Sequence, residues 1–253
     1  MIELKSEREV SLIKEASSIV AEVIQYLRSR VVTGVTTLEL NDSARDLIIK
    51  LGGIPAFKGY RGFPGDICTS INEEVVHGIP GKRRLRDGDI LSLDIGVKFN
   101  GYYGDATVTI PVGNVSKEAK RLLEVTEEAL YVGIGSARQG MRLSDLSHAI
   151  QTHAEKNGFS VVREFVGHGI GAKMHEEPQI PNFGEPNHGP RLKKGMVLAI
   201  EPMVNAGGPE VEILRDGWTA VTKDRRLSAH FEHTVLITDK EPEILTLCQK
   251  KKQ

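Results

Sequence analysis

The sequence predicts an α+β fold in which two related helix–helix–strand–strand halves surround a central antiparallel sheet. Three observations carry this. Helical periodicity with capping signals alternates with short apolar strands, Asn100-Gly101 marks a hairpin, and later segments repeat earlier ones at a nearly constant offset.

The first helix begins at Ser6-Glu7-Arg8-Glu9, a capping box, and keeps Val10, Ile13, Val20, Val23, Ile24 and Leu27 at helical spacing. A second capping box, Thr36-Thr37-Leu38-Glu39, opens a helix that runs towards Gly52-Gly53. A Gly/Pro-rich loop around residues 60 to 65 precedes the strand Ile90-Leu91-Ser92-Leu93-Asp94-Ile95. Asn100-Gly101 suits a two-residue turn with left-handed backbone, and Ala106-Thr107-Val108-Thr109-Ile110 is the returning strand. Helices are expected over about residues 116–132 and 143–157, followed by apolar runs at 161–162, 196–200 and 233–237.

The repeat is the most informative feature of the organisation. Leu85-Arg86-Asp87-Gly88-Asp89-Ile90-Leu91-Ser92-Leu93-Asp94 aligns with Leu192-Lys193-Lys194-Gly195-Met196-Val197-Leu198-Ala199-Ile200-Glu201 at an offset of 107. Gly34, Leu40 and Gly52 match Gly140, Leu146 and Gly158 at an offset of 106. Asp105-Ala106-Thr107-Val108 resembles Glu232-His233-Thr234-Val235. These matches, in order, predict one domain over residues 1–253, with pseudo-twofold halves of roughly 1–115 and 116–248.

Composition narrows the function classes. The 33 Lys+Arg and 34 Asp+Glu leave a formal net charge of −1, without the positive excess that nucleic-acid or membrane-surface binding needs. Neither a DNA nor a membrane partner is expected. Cys68 and Cys248 cannot make a disulfide framework, and the start of the chain is charged where a signal peptide is apolar. A cytoplasmic protein is expected. The Lys250-Lys251-Lys252 tail reads as a solvated end.

The acids are not evenly spread. With a two-residue turn at Asn100-Gly101, opposing residues sum to 201, so Asp94 faces Thr107 and shares a sheet face with Asp105. The repeat supplies Glu201 and Glu232 in equivalent places. Four carboxylates converging without a basic partner repel one another unless cations sit between them, which points to divalent metal, two ions being the natural number.

Histidines sharpen the metal reading. His168 lies in Gly167-His168-Gly169-Ile170-Gly171, where backbone can approach a site closely, and His175 follows seven residues later. Imidazole added to carboxylates suits Mn, Fe, Co or Zn. His77, just before a turn, is a further candidate, whereas His148, His153 and His188 read as packed or surface residues. His230 and His233 flank Glu232, and only one sheet face can point at the metals. The Gly167-x-Gly169-x-x-Ala172 pattern mimics a dinucleotide fingerprint, but Lys173-Met174-His175-Glu176-Glu177-Pro178 breaks the helix that motif must open.

Over almost its whole length the chain resembles the type I methionine aminopeptidases, metallopeptidases of the pita-bread fold, in the short bacterial form. The resemblance rests on Ser70-Ile71-Asn72-Glu73 to His77-Gly78-Ile79-Pro80, Asp94 with Asp105, Gly167 to Gly171, Ile200-Glu201-Pro202 and Phe231-Glu232-His233-Thr234. It implies removal of the initiator methionine from nascent proteins whose second residue is small. The implied metal ligands are Asp94, Asp105, His168, Glu201 and Glu232, with Asp105 and Glu232 bridging two ions. A hydroxide between the ions would attack the first peptide carbonyl, with Glu201 as proton shuttle. His175 would bind the substrate carbonyl, and His77 would position the peptide.

The implied methionine pocket comprises Phe57, Tyr60, Phe63, Cys68, Met174 and Trp218, with Met174 and Phe57 departing from the commoner family residues. A monomer is the family expectation, and ribosome association is the partner the resemblance raises. An Xaa-Pro aminopeptidase and a non-catalytic peptide-binding module of the same fold are the alternatives. Because Met1 precedes bulky Ile2, the chain itself is expected to keep Met1.

Overall fold

In the computed structural model, residues 2–247 are described; Met1, Cys248 and the lysine tail lie outside them. The first half runs α1 (Glu7–Arg28), α2 (Thr37–Lys50), β1 (Ile54–Pro55), β2 (Cys68–Ile71), β3 (Glu74–Val76), β4 (Ile90–Phe99) and β5 (Tyr102–Pro111). The second opens with α3 (Lys117–Ser136), α4 (Leu143–Lys156), β6 (Ser160–Val161), β7 (Gly167–Gly169) and β8 (Glu176–Ile180). It continues with β9 (Val197–Ile200), β10 (Met203–Asn205), β11 (Val211–Ile213), β12 (Ala220–Thr222), β13 (Ser228–His230), β14 (His233–Leu236) and β15 (Glu243–Ile244).

Local chemistry explains where the helices start. Ser6 and Glu9 close one reciprocal capping box, and Thr36 and Glu39 close the other, each satisfying backbone donors that the first turn leaves free. Ser116 caps α3, and the Asp145 carboxylate accepts from Arg142 N–H at the start of α4. Helix α3 extends four residues beyond the expected end at 132, because Gly133 and Ile134 stay buried there, Gly133 beside Ile150 of α4.

The β4–β5 hairpin has the expected register, Asp94 opposite Thr107 and Gly96 opposite Asp105. Asn100 and Gly101 both take positive φ, 48° and 87°, which gives the turn the twist that continues into right-handed strands. Strand β4 also pairs with β1 and β2, while β15, β14, β9, β7 and β8 form a five-stranded antiparallel sheet. Two three-stranded sheets, β13-β10-β6 and β11-β12-β3, complete the set.

The internal duplication is visible in hydrogen bonds. Arg84 Nη1 donates to Gly34 O at 2.7 Å, and Arg191 Nη1 donates to Gly140 O at 2.7 Å. Leu85 N–H bonds Val35 O, and Leu192 N–H bonds Met141 O, both at 2.8 Å. The halves meet where β5 runs beside β13 and β14. There Asp105 N–H donates to Thr234 Oγ1, Thr234 Oγ1 donates to Asp105 O, and Thr109 Oγ1 donates to His230 O. One apolar core spans the seam, with Leu27, Leu93 and Ile95 from the first half and Leu122, Leu146 and Val235 from the second.

The second half departs from strict repetition by two residues of register. Thr234 faces Ala199 across β9–β14, whereas a copy of the first hairpin would place it opposite Glu201. A slip of two keeps every side chain on its own face, so the acids still point the same way.

Candidate active site

The middles of β4 and β5 and the ends of β9 and β14 deliver the acids to one cavity of about 150 Å³, lined by Asp94, Asp105, His168, Glu201 and Glu232. Ligand atoms of Asp105, His168 and Glu232 lie within 4.8 Å of one another. His168 Nε2 is 3.9 Å from Asp105 Oδ2 and 3.6 Å from Glu201 Oε1. Asp105 and Glu232 are buried, at 4% and 2% exposure, and no lysine or arginine pairs with any of the four acids among the described residues.

These residues fit divalent metal. Asp94 Oδ1, Asp105 Oδ1 and Glu232 Oε1 are buried without a hydrogen-bond partner, a costly arrangement for acceptors that no cation reaches. Burial, reinforced by the neighbouring carboxylates, holds Asp105, Glu201 and Glu232 far above the ordinary carboxylate range, and burial raises Asp94 as well. The imidazole is prepared for ligation. His168 Nδ1 sits 2.9 Å from Gly169 O, which can only accept, so Nδ1 carries the proton and Nε2 presents its lone pair. Burial lowers the His168 pKa to about 3, keeping the ring neutral. Strand β7 fits between β8 and β9 because Gly169 has no Cβ; one would stand 2.3 Å from Glu177 O.

Alternation along the chain separates the two histidines beside Glu232. His230 shares its face, with Nε2 3.4 Å from Glu201 Oε2. His233 points away, its Nδ1 bonded to Thr246 Oγ1 at 2.8 Å. His148, His153 and His188 lie apart from the cavity, bonded respectively to Gly184 O, the Glu128 carboxylate and the Pro186 carbonyl.

His77 and His175 complete the polar wall. The His175 ring lies 4.2 Å from that of His168, centroid to centroid, and its Nδ1 shares a 2.8 Å hydrogen bond with Tyr60 OH. Burial, with a smaller push from the Arg61 guanidinium, lowers its pKa. His77 stands edge-on to Phe165 and Trp218, and burial lowers its pKa to about 4. Phe57, Tyr60, Phe63, Cys68 and Trp218 form the apolar wall, with Phe63 and Trp218 in edge contact at 5.2 Å. Burial and the nearby Asp94 carboxylate push the Cys68 thiol well up, so it stays protonated.

Met174 is not on the cavity surface. It is buried behind Phe57, and both reach over Gly96, where a Cβ would stand 2.5 Å from Phe57 and 2.8 Å from Met174. Arg61 does line the cavity and went unnoticed in the sequence, its only signal being a cation inside the glycine-rich loop. The fingerprint-like Gly167-x-Gly169 segment opens no helix; β8 follows it.

Comparison with known proteins agrees with this geometry. The family model for metallopeptidase family M24 matches residues 11–239. The chain is 58% identical to methionine aminopeptidase 1 of Bacillus subtilis (strain 168), over 97% of this chain and 99% of that protein. The crystal structure of methionine aminopeptidase from Thermotoga maritima superimposes with a TM-score of 0.96 at 47% identity, covering 98% and 100% of the two chains. Prolidase from Pyrococcus furiosus shares the fold, with a TM-score of 0.80 at 24% identity, over 98% of this chain and 66% of that one. The architecture is the pita-bread fold, and the chain belongs to metallopeptidase family M24.

Proposed function

We propose that the protein is a methionine aminopeptidase that removes the initiator methionine from nascent proteins with a small second residue. The observation that carries this is the joining of five potential ligands to a compact apolar pocket within one cavity. Full-length identity to a methionine aminopeptidase supports it over an Xaa-Pro aminopeptidase or a non-catalytic module.

Asp94, Asp105, His168, Glu201 and Glu232 would hold two divalent ions of the Mn, Fe, Co or Zn class. When bound, such ions supply the positive charge that makes water nucleophilic near neutral pH and polarises the scissile carbonyl.

The protein's own groups do the rest. Glu201, on the cavity wall, takes the proton from the attacking water and returns it to the leaving amine. His175, oriented by Tyr60, donates to the carbonyl oxygen as charge develops there. His77 positions the peptide beyond the scissile bond. Phe57, Tyr60, Phe63, Cys68 and Trp218 hold the methionine side chain, while Met174 sets the pocket's shape from behind Phe57.

The same reading takes residues 1–253 as one domain with halves meeting near residue 115. It places a monomer in the cytoplasm, with the ribosome as the partner that supplies nascent chains. No helix among the described residues is long and apolar enough to cross a membrane.

The test is methionine release from Met-Ala-Ser and Met-Leu-Ser before chelation, after it, and after readdition of Mn or Co. Metal-dependent release from Met-Ala-Ser alone is expected, with Asp105→Asn and His175→Ala strongly impaired. Equal release from both peptides, or full activity in either variant, would overturn the mechanism.

A further inference from the structure

A second, larger cavity of about 700 Å³ adjoins the metal cavity. Three residues line both: His168, His175 and Arg61. A polypeptide whose first residue fills the apolar pocket has its remaining chain to accommodate, and this shared wall is where the two spaces meet. The third residue is the first to lie wholly beyond the scissile bond and its flanking residue, and Arg61 on the shared wall is a cation open to its side chain.

Arg61 is placed for contact with that chain. It is exposed, and among the described residues no carboxylate lies within ion-pair distance of its guanidinium, which stands 5.5 Å from the Tyr60 ring centre. Its backbone is left-handed, with φ 50° and ψ 21°, a conformation that costs energy for a residue with a Cβ. The loop therefore holds a cation at the mouth at some expense. The remaining charge of the groove is small, one net negative charge on the Glu3–Glu176–Lys5 group. Glu3 and Glu176 share Lys5, at 3.2 and 2.5 Å, while Lys173 and Glu177, with no ion-pair partner among the described residues, offset each other.

We propose that Arg61 is a specificity-determining residue that favours an acidic side chain at the third position of the substrate. This role rests on the aminopeptidase reading above and deepens it. An exposed ion pair of this kind changes a rate constant only modestly, by about threefold, and salt screens it.

The experiment compares kcat/KM for Met-Ala-Glu-Gly and Met-Ala-Lys-Gly, both as C-terminal amides so that no terminal carboxylate substitutes for the side chain. Arg61→Asn and Arg61→Asp are the variants, because Asn and Asp tolerate the left-handed backbone. Taking the ratio within each protein removes any general effect on folding or turnover. The expected result is a preference for Glu of about threefold in the natural protein, absent in Arg61→Asn and reversed in Arg61→Asp. Raising NaCl to about 0.5 M is expected to erase it. An identical ratio in all three proteins, or a preference that survives salt, would overturn the role of Arg61. No methionine release from either peptide by the metal-loaded natural protein would overturn the aminopeptidase reading itself, and this role with it.

Discussion

Thr107 Oγ1 donates a 2.8 Å hydrogen bond to Glu232 Oε2, and the two backbones exchange N–H···O bonds of 2.9 and 3.4 Å. A residue of the first half thus orients a proposed metal ligand of the second. The hydroxyl fixes one carboxylate oxygen and leaves Oε1 without a protein partner. Thr107→Val keeps the shape and removes the donor. Loss of a group that orients a ligand typically costs 10–100-fold in metal affinity or activity, so Co affinity measured by calorimetry is expected to fall by at least about tenfold.

His77 gives the pH prediction. Burial, with smaller contributions from His230 and His175, lowers its pKa to about 4 from an ordinary 6.5. Because the folded value lies below the unfolded one, its stability contribution is complete above pH 6.5. That contribution is lost as pH falls through about 4. Relative to a His77→Gln variant, the natural protein is expected to lose stability between those limits, and an NMR titration should place the His77 midpoint near 4.

Asn41 of α2 anchors the loop that carries Tyr60 and Phe63. Its Oδ1 accepts from the N–H groups of Asp66 and Ile67 at 2.8 and 3.3 Å, and its Nδ2 donates to Asp66 Oδ2 at 3.0 Å. Asn41→Ala leaves two backbone donors unsatisfied, while Lys58 still reaches Asp66 Oδ2 at 3.5 Å. A loss of about 2 kcal/mol in stability is expected by urea denaturation. KM for methionyl peptides should rise more than kcat falls, since the metal ligands stay in place.

Lys5 braces the segment bearing His175. Its ammonium, with a side chain 2% exposed, sits 2.5 Å from Glu176 Oε2, and Glu176 Oε1 accepts from Lys173 N–H at 3.0 Å. Lys5→Met strands a carboxylate in a largely buried place, for an expected loss of about 3 kcal/mol. Combined with Glu176→Met, the loss should shrink, because neither charge is then left alone. Thermal unfolding of the two single variants and the double variant measures the coupling.

Much of this was legible along the chain. The capping boxes at Ser6 and Thr36 need only neighbours three residues away, and the Asn100-Gly101 turn fixed Asp94 opposite Thr107 by counting. The two-residue slip between β9 and β14 was not legible, because the connection between those strands is long and sets no register by itself. Met174 shows a similar limit: its apolar character was evident, but only packing against Gly96 puts it behind Phe57.

The sequence by itself determined the elements, the duplication and the candidate ligands, since these follow from periodicity, turn chemistry and repeated motifs. Tertiary structure decided which groups meet. It set His230 beside Glu201 and turned His233 away, joined Thr107 to Glu232 across the seam, and brought Arg61 to the mouth of the site. The physical reason is that local rules act over a few residues, whereas these contacts join segments as much as 125 positions apart, which only the packed core brings within reach.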